Sequence, residues 1–275
     1  MMKTFAAVSA AALAVVAMPA AAQDWSGAYF GGFAGYQGLG EQEGETVRFD
    51  TNLDGTYGDT VRTTAAADAF SPGFCDGQPN DNNAAAGCEG DDDGNGEFGL
   101  RFGYDWQAGP IVFGVVGDAG TSSLEDRVTA FSTTPANYVF ERETQYLLAA
   151  RVRLGYAMGR YLPYVTGGYA TARLENNFSS SNVANSFAPR TDETDATGYQ
   201  IGGGIETKVS DRISLGVEYL YSDLEEDDPY IVRTGPGTAP ATNPFLLVNS
   251  QGTDMRRSSE NLELHSFRVT AAVRF

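Results

Sequence analysis

TQYLLAARVRLGY, residues 144–156, decides how this chain is read. One parity runs Tyr146, Leu148, Ala150, Val152, Leu154, Tyr156, and the other Gln145, Leu147, Ala149, Arg151, Arg153. Apolar residues at every second position, opposite a face with two arginines, form a period of two and therefore a β-strand. Three further segments repeat the pattern. In 97–106, Phe98, Leu100, Phe102, Tyr104 and Trp106 oppose Glu97, Arg101 and Asp105. In 212–222, Ile213, Leu215, Val217, Tyr219 and Tyr221 oppose Arg212, Ser214 and Glu218. At the end, Phe267, Val269, Ala271, Val273 and Phe275 oppose Ser266, Arg268 and Arg274. Residues 26–37, 110–119, 161–174 and 197–208 fit less cleanly, with 161–174 ambiguous in parity, and bring the strand count to eight.

The connections alternate. Gln107–Gly109, Met158–Arg160 and Val209–Asp211 are tight turns, whereas 38–96, 120–143, 175–196 and 223–261 are long, polar segments. Four long loops and three short turns joining eight antiparallel strands describe an all-β, up-and-down barrel. In a transmembrane barrel the short turns and both termini face the periplasm and the long loops face outward. Charge separates that reading from a soluble barrel with an apolar core. Glu97, Arg101, Asp118, Arg151, Arg153, Glu206, Glu218 and Arg268 all fall on the polar parity, together with Asp105, Arg212 and Arg274. The apolar parity is nearly uncharged, and aromatic residues collect at its ends. Trp25, Trp106, Tyr156, Tyr161 and Phe275 mark the turn side, and Tyr36, Phe98, Tyr146 and Tyr221 the loop side. Two aromatic girdles around an apolar band are the lipid-facing pattern, which predicts charges in the lumen.

The remaining composition agrees. Residues 1–22 read as an export leader: Lys3, an apolar run from Thr4 to Met18, and Ala20-Ala21-Ala22 before a cut at Gln23. Residues 23–275 then form one barrel domain. No later stretch approaches 18 consecutive apolar residues, but a spanning strand needs only about 9–11. A net charge of −18 argues against a nucleic-acid partner. Cys75 and Cys88, both within the long loop 38–96, read as a disulfide that pins that loop by about 3 kcal/mol, with a metal pair the lesser reading.

Five stretches carry a family resemblance: DWSGAYFGGFAGY (24–36), FGLRFGYDWQAGPIVFGVVGDAG (98–120), RVRLGYAMGRYLPYVTGGYA (151–170), GYQIGGGIETKVSDRISLGVEYLYSDL (198–224) and LHSFRVTAAVRF (264–275). Together they resemble the small alphaproteobacterial outer-membrane proteins of the Omp25/Omp31 porin-like family. That resemblance implies an eight-stranded barrel in a Gram-negative outer membrane, acting as a surface structural protein or porin. It implies outer-membrane lipids and lipopolysaccharide as surroundings. Phe275, with apolar residues alternating before it, resembles the signal read by the outer-membrane assembly machinery. The sequence departs from the family at Val116, often acidic there, and in the length of loop 38–96.

Possible chemistry is sparse. With eight strands a barrel interior is just wide enough for side chains to fill, so the near-balanced lumen charges read as a salt-bridged plug, with a narrow charged pore as the competing reading. Asp91, Asp93 and Asn95, in DDDGNG, match half of a calcium loop, but Phe102 stands where the bidentate acid belongs; a solvated turn is the plainer reading, and otherwise no cofactor is expected. Loop 38–96 holds thirteen acidic residues against Arg48 and Arg62. These acids suit repulsion of neighbours on a crowded surface, or cation bridging to lipopolysaccharide and docking of an extracellular ligand. Arg256-Arg257 reads as a small phosphate-contacting patch. The only histidine, His265, falls on the lipid-facing parity, with Ser266 pointing the other way, and no nucleophile–base pair assembles. The function expected is a surface structural or interaction protein with a plugged lumen, before a small-solute channel, and a surface hydrolase last.

Overall fold

The computed structural model describes residues 24–40, 44–90, 94–190 and 192–275; the leader at 1–22 lies outside them. Eight strands form the barrel: β1 Gly27–Leu39, β2 Asn95–Ala108, β3 Ile111–Ser122, β4 Ala136–Tyr156, β5 Tyr161–Ser180, β6 Glu193–Lys208, β7 Ile213–Glu226 and β8 Asn261–Arg274. Each pairs antiparallel with its neighbours in sequence, and β8 returns to β1 with Tyr29 opposite Arg274 and Leu39 opposite Leu264. Closure leaves no open barrel edge, which a sheet in lipid requires because its backbone groups have no water to bond.

The parity resolves as the period demands. Val165 (64 % exposed), Val269 (60 %) and Leu100 (56 %) point outward, as do Trp106, Tyr156 and Tyr161 at the turn end. A continuous apolar belt of this kind is untenable in water and suits hydrocarbon. Residues 161–174 sort cleanly, with Tyr164, Thr166, Ala170, Ala172 and Leu174 inward and Val165 and Tyr169 outward. Lumen glycines make room for large neighbours. A Cβ on Gly103 would lie 2.3 Å from the Tyr29 ring, and one on Gly99 2.5 Å from Phe33.

The long segments differ from the irregular loops expected of them. β4, β5 and β6 continue past the lipid belt, and Glu125–Ser132 pairs with the upper part of β4, with Gly73–Asp76 added beside it. A separate four-stranded sheet takes Ser186–Pro189, Val232–Gly235, Thr253–Arg257 and Val47–Asp50, drawing one or two strands from each of three loops. Between these layers lies a second apolar core, holding Phe49, Phe70, Tyr138, Phe140, Phe245 and Met255. Phe70 packs on Phe49 at 4.4 Å and on Phe245 at 5.7 Å between ring centroids. The loops therefore build a folded cap over the barrel mouth. The Cys75–Cys88 disulfide ties Gly73–Asp76 to Cys88–Glu89 at the cap's side.

Candidate functional site

The lumen is the place where charge, burial and family of fold converge, and it is filled in layers. At the turn end, Trp25, Val112, Ala157 and Leu162 close the barrel floor. Trp25, expected in the aromatic girdle, is fully buried instead. It precedes β1, its backbone N–H donates to Gln107 Oε1 at 2.7 Å, and its ring lies under Arg274 and Lys208 at 4.8 and 5.1 Å.

Above the floor stand two charged rungs. Arg153 donates to Asp105 and, at 2.9 Å, to Glu206; Arg274 donates to the same two carboxylates at 2.8 and 2.7 Å. Next, Arg101 grips Asp118 through two bonds of 2.8 and 2.7 Å and reaches Glu218 at 2.5 Å. Arg151 also donates to Asp118, and Arg268 forks onto Glu97 at 2.9 and 2.7 Å. Every one of these ten side chains is buried. Five guanidiniums thus meet five carboxylates, and bidentate geometry directs the pairing. The eight lumen charges singled out from the sequence, Glu97, Arg101, Asp118, Arg151, Arg153, Glu206, Glu218 and Arg268, all lie within this network. Arg212 does not join them: it is exposed in the β6–β7 turn. Lys208 points inward in its place and donates to the Asp24 carbonyl.

A neutral layer follows. Ser122 donates to Gln37 Oε1 at 2.7 Å, Gln37 reaches Ser266 at 3.3 Å, and Gln200 donates to Ser222 at 2.8 Å. Higher still the lumen turns apolar, with Leu124, Leu147, Leu174, Leu224, Leu262 and Leu264 buried together with four alanines. Water would find no partner in such a layer.

A last charged rung joins barrel to cap. Arg142 pairs with Asp126 at 2.6 Å and Glu226 at 2.8 Å, and Arg257 forks onto Glu45 at 2.9 and 2.5 Å while meeting Asp126 at 2.9 Å. Burial alone would push the Asp126 carboxyl up; Arg257 and Arg142 more than reverse it, holding it at about 2. Arg257 is therefore an interior side chain and not part of a surface patch. Its neighbour Arg256 pairs with Glu260 at 2.5 Å and lies 4.4 Å over the Tyr57 ring.

Outside the lumen, Glu125, Glu143, Glu175 and Glu193 stand opposite one another across four strands just above the belt. Of the calcium candidates, Asp91 and Asp93 lie outside the described residues, and Asn95 opens β2 with its amide donating to the Ser123 carbonyl at 2.5 Å. Among the described residues no group of three or more His, Cys, Asp or Glu is placed to hold a metal ion. His265 faces outward, its Nδ1 2.7 Å from the Tyr219 hydroxyl, and Ser266 faces the lumen. Tyr221 stands at the loop-side girdle beside it, and Phe275, just past β8, donates its N–H to the Ala28 carbonyl.

The sequence profile of the family described as "Outer membrane protein beta-barrel domain" matches residues 7–275. The 31 kDa outer-membrane immunogenic protein of Brucella melitensis biotype 1 is 27 % identical over 213 residues, covering 77 % of this chain and 76 % of that protein. The 22 kDa outer membrane protein of Rhizobium leguminosarum bv. viciae is 32 % identical over 127 residues, covering 46 % and 51 %. Among solved structures, the outer membrane protein OprG from Pseudomonas aeruginosa aligns with a TM-score of 0.49 at 12 % identity, covering 91 % of this chain and 97 % of that one.

Proposed function

Because the chain belongs to the outer membrane protein β-barrel domain family, and so resides in a Gram-negative outer membrane as a transmembrane barrel, we propose that it serves there as a closed anchor for a folded extracellular cap. The observation that carries this reading is the continuous filling of the lumen. A solute entering from the cap would have to displace an apolar core, the Arg142–Asp126–Arg257 rung, a leucine layer, an amide layer and two paired-charge rungs in turn. Separating buried ion pairs leaves uncompensated charge, at about 3–5 kcal/mol for each broken pair. The cap, by contrast, offers ordered surface built from four loops, which suits interaction with other molecules outside the cell. The reading is non-enzymatic, since the one histidine sits among aromatic rings on the lipid face and the carboxylates of the lumen and of the rung beneath the cap are held by arginine.

The test is conductance. The protein reconstituted in planar bilayers should give no steady channels, and Arg151→Ala should not create them. Steady openings in the unmodified protein, with ion selectivity that shifts in Arg151→Ala, would replace the anchor with the small-solute channel.

A further inference from the structure

The crown of the cap holds a cavity of about 290 Å³. Ala136 opens the 21-residue β4, so the turn at 133–135 stands at the end of that strand farthest from the periplasm. The mouth of the cavity lies between this exposed turn and Val183, which is 94 % exposed. All four long segments contribute to its walls. Phe70, Tyr138 and Phe245 form the floor, their ring centroids 5.3–5.7 Å apart and their planes inclined at 59–67°. That edge-to-face arrangement is the one aromatic quadrupoles favour. Among the described residues lining the cavity none is charged, in a chain of net charge −18. The lining amides are occupied in the walls themselves. Asn182 accepts from the Ala184 N–H at 2.9 Å and donates to the Tyr138 hydroxyl at 2.9 Å. Asn243 accepts from the Phe245 N–H at 3.1 Å and donates to Asn185 Oδ1 at 3.1 Å.

Resting on the reading of the cap as an interaction surface, we propose that this cavity seats one uncharged aromatic side chain of an extracellular protein partner. Size fits: an apolar cavity of about 150 Å³ admits benzene, so this one admits a phenyl or indole ring with its stem. Chemistry fits as well. A fourth ring continues the edge-to-face set of the floor, whereas a phosphate or carboxylate would find no cation in the walls and would leave its water unrepaid. The walls are held by their own hydrogen bonds, so little order remains to be imposed on binding. A free one-ring molecule would bind more weakly than about 1 mM on ring burial alone. The same ring carried by a protein gains contacts with the rim, as anchor residues at interfaces do.

The experiment uses the full-length chain in nanodiscs, titrated with Gly/Ser-rich peptides bearing one central Phe, Ala or Glu. Binding is read by saturation-transfer NMR, with empty nanodiscs as the background. The Phe peptide should bind at least tenfold more tightly than the Ala peptide, a ratio equal to about 1.4 kcal/mol, and the Glu peptide no better than Ala. Ala184→Leu, which fills the cavity, and Val183→Asp, which sets a charge at its mouth, should each erase the preference. Val248→Asp, exposed on the cap outside the cavity, should leave it unchanged. Limited proteolysis checks that the cap stays folded in each variant. Equal affinity for the Phe and Ala peptides overturns the proposal, as does a Phe preference that survives both cavity variants or is matched by Glu. Free p-cresol should compete only at about millimolar concentration and above. Competition at micromolar concentration would overturn the protein partner in favour of a free aromatic molecule. Each of these failures leaves the anchor reading standing, because conductance decides that reading separately.

Discussion

Arg257 and Asp126 meet twice: the guanidinium lies 2.9 Å from the Asp126 carboxylate and donates to the Asp126 carbonyl at 2.9 Å, across 131 residues of sequence. One residue belongs to the cap's four-stranded sheet and the other to the hairpin that extends β4. With Glu45 and Arg142, they form the contact that seats the cap on the barrel.

Arg257→Ala should therefore loosen the cap and spare the barrel. The substitution leaves Glu45 and Asp126 buried with one cation fewer, a loss of about 3–5 kcal/mol. Limited proteolysis should begin to cut within 44–90 and 228–257, while the barrel keeps its heat-sensitive gel mobility. Equal protease resistance of variant and unmodified protein would show that the aromatic core alone holds the cap.

Acid should act on the same contact. The Asp126 carboxyl is depressed in the folded protein from 3.8 to about 2. Its stabilising contribution is thus fully present above the unfolded value, and declines as pH falls from about 4 through 2. Near-ultraviolet circular dichroism of the cap tyrosines should fade over that window, and Asp126→Asn should flatten this part of the profile. An unchanged profile in the variant would assign the transition to other carboxylates.

The leucine layer makes a separate prediction. Leu224 is fully buried inside the barrel, and Leu224→Ala should lower stability by about 2–5 kcal/mol, read as a reduced urea midpoint for unfolding from lipid vesicles. Loss below about 1 kcal/mol would mean the lumen relaxes around the gap.

Reducing the Cys75–Cys88 bridge should be felt locally. The pair encloses a short ring in an edge hairpin of the cap, so its removal should cost about 3 kcal/mol at most. A new cleavage site between 76 and 88 is expected on reduction, with the barrel's thermal transition unmoved. A shift of that transition would tie the hairpin to global stability.

Much of the barrel can be read from residue order alone, because a strand with lipid on one side and packed charge on the other announces itself every second residue. Leu148, Val152 and Leu154 could face only hydrocarbon once Arg151 and Arg153 faced inward. What stayed hidden depends on events with no local period. Arg142 reaches the lumen because a bulge at Gln145–Tyr146 reverses the inward parity, shown by the register slip between Arg173 and Leu174. Trp25 precedes its strand, so its direction follows from tertiary packing rather than alternation. Leu224 and Leu264 sit on the mostly polar parity, where an isolated leucine gives no sign of company. Phe49 and Phe70 stand well apart in one polar segment and Phe245 in another, and only the folded chain brings their rings together.

The shared cap sheet also constrains how this surface can drift. Val47–Asp50, Val232–Gly235 and Thr253–Arg257 are ladder partners from opposite ends of the sequence. An exchange at Phe49 must be tolerated by Phe70, and through it by Phe245. The exterior accordingly behaves as a single mosaic, and a reagent raised against one linear loop peptide would meet a shape that this peptide cannot hold by itself.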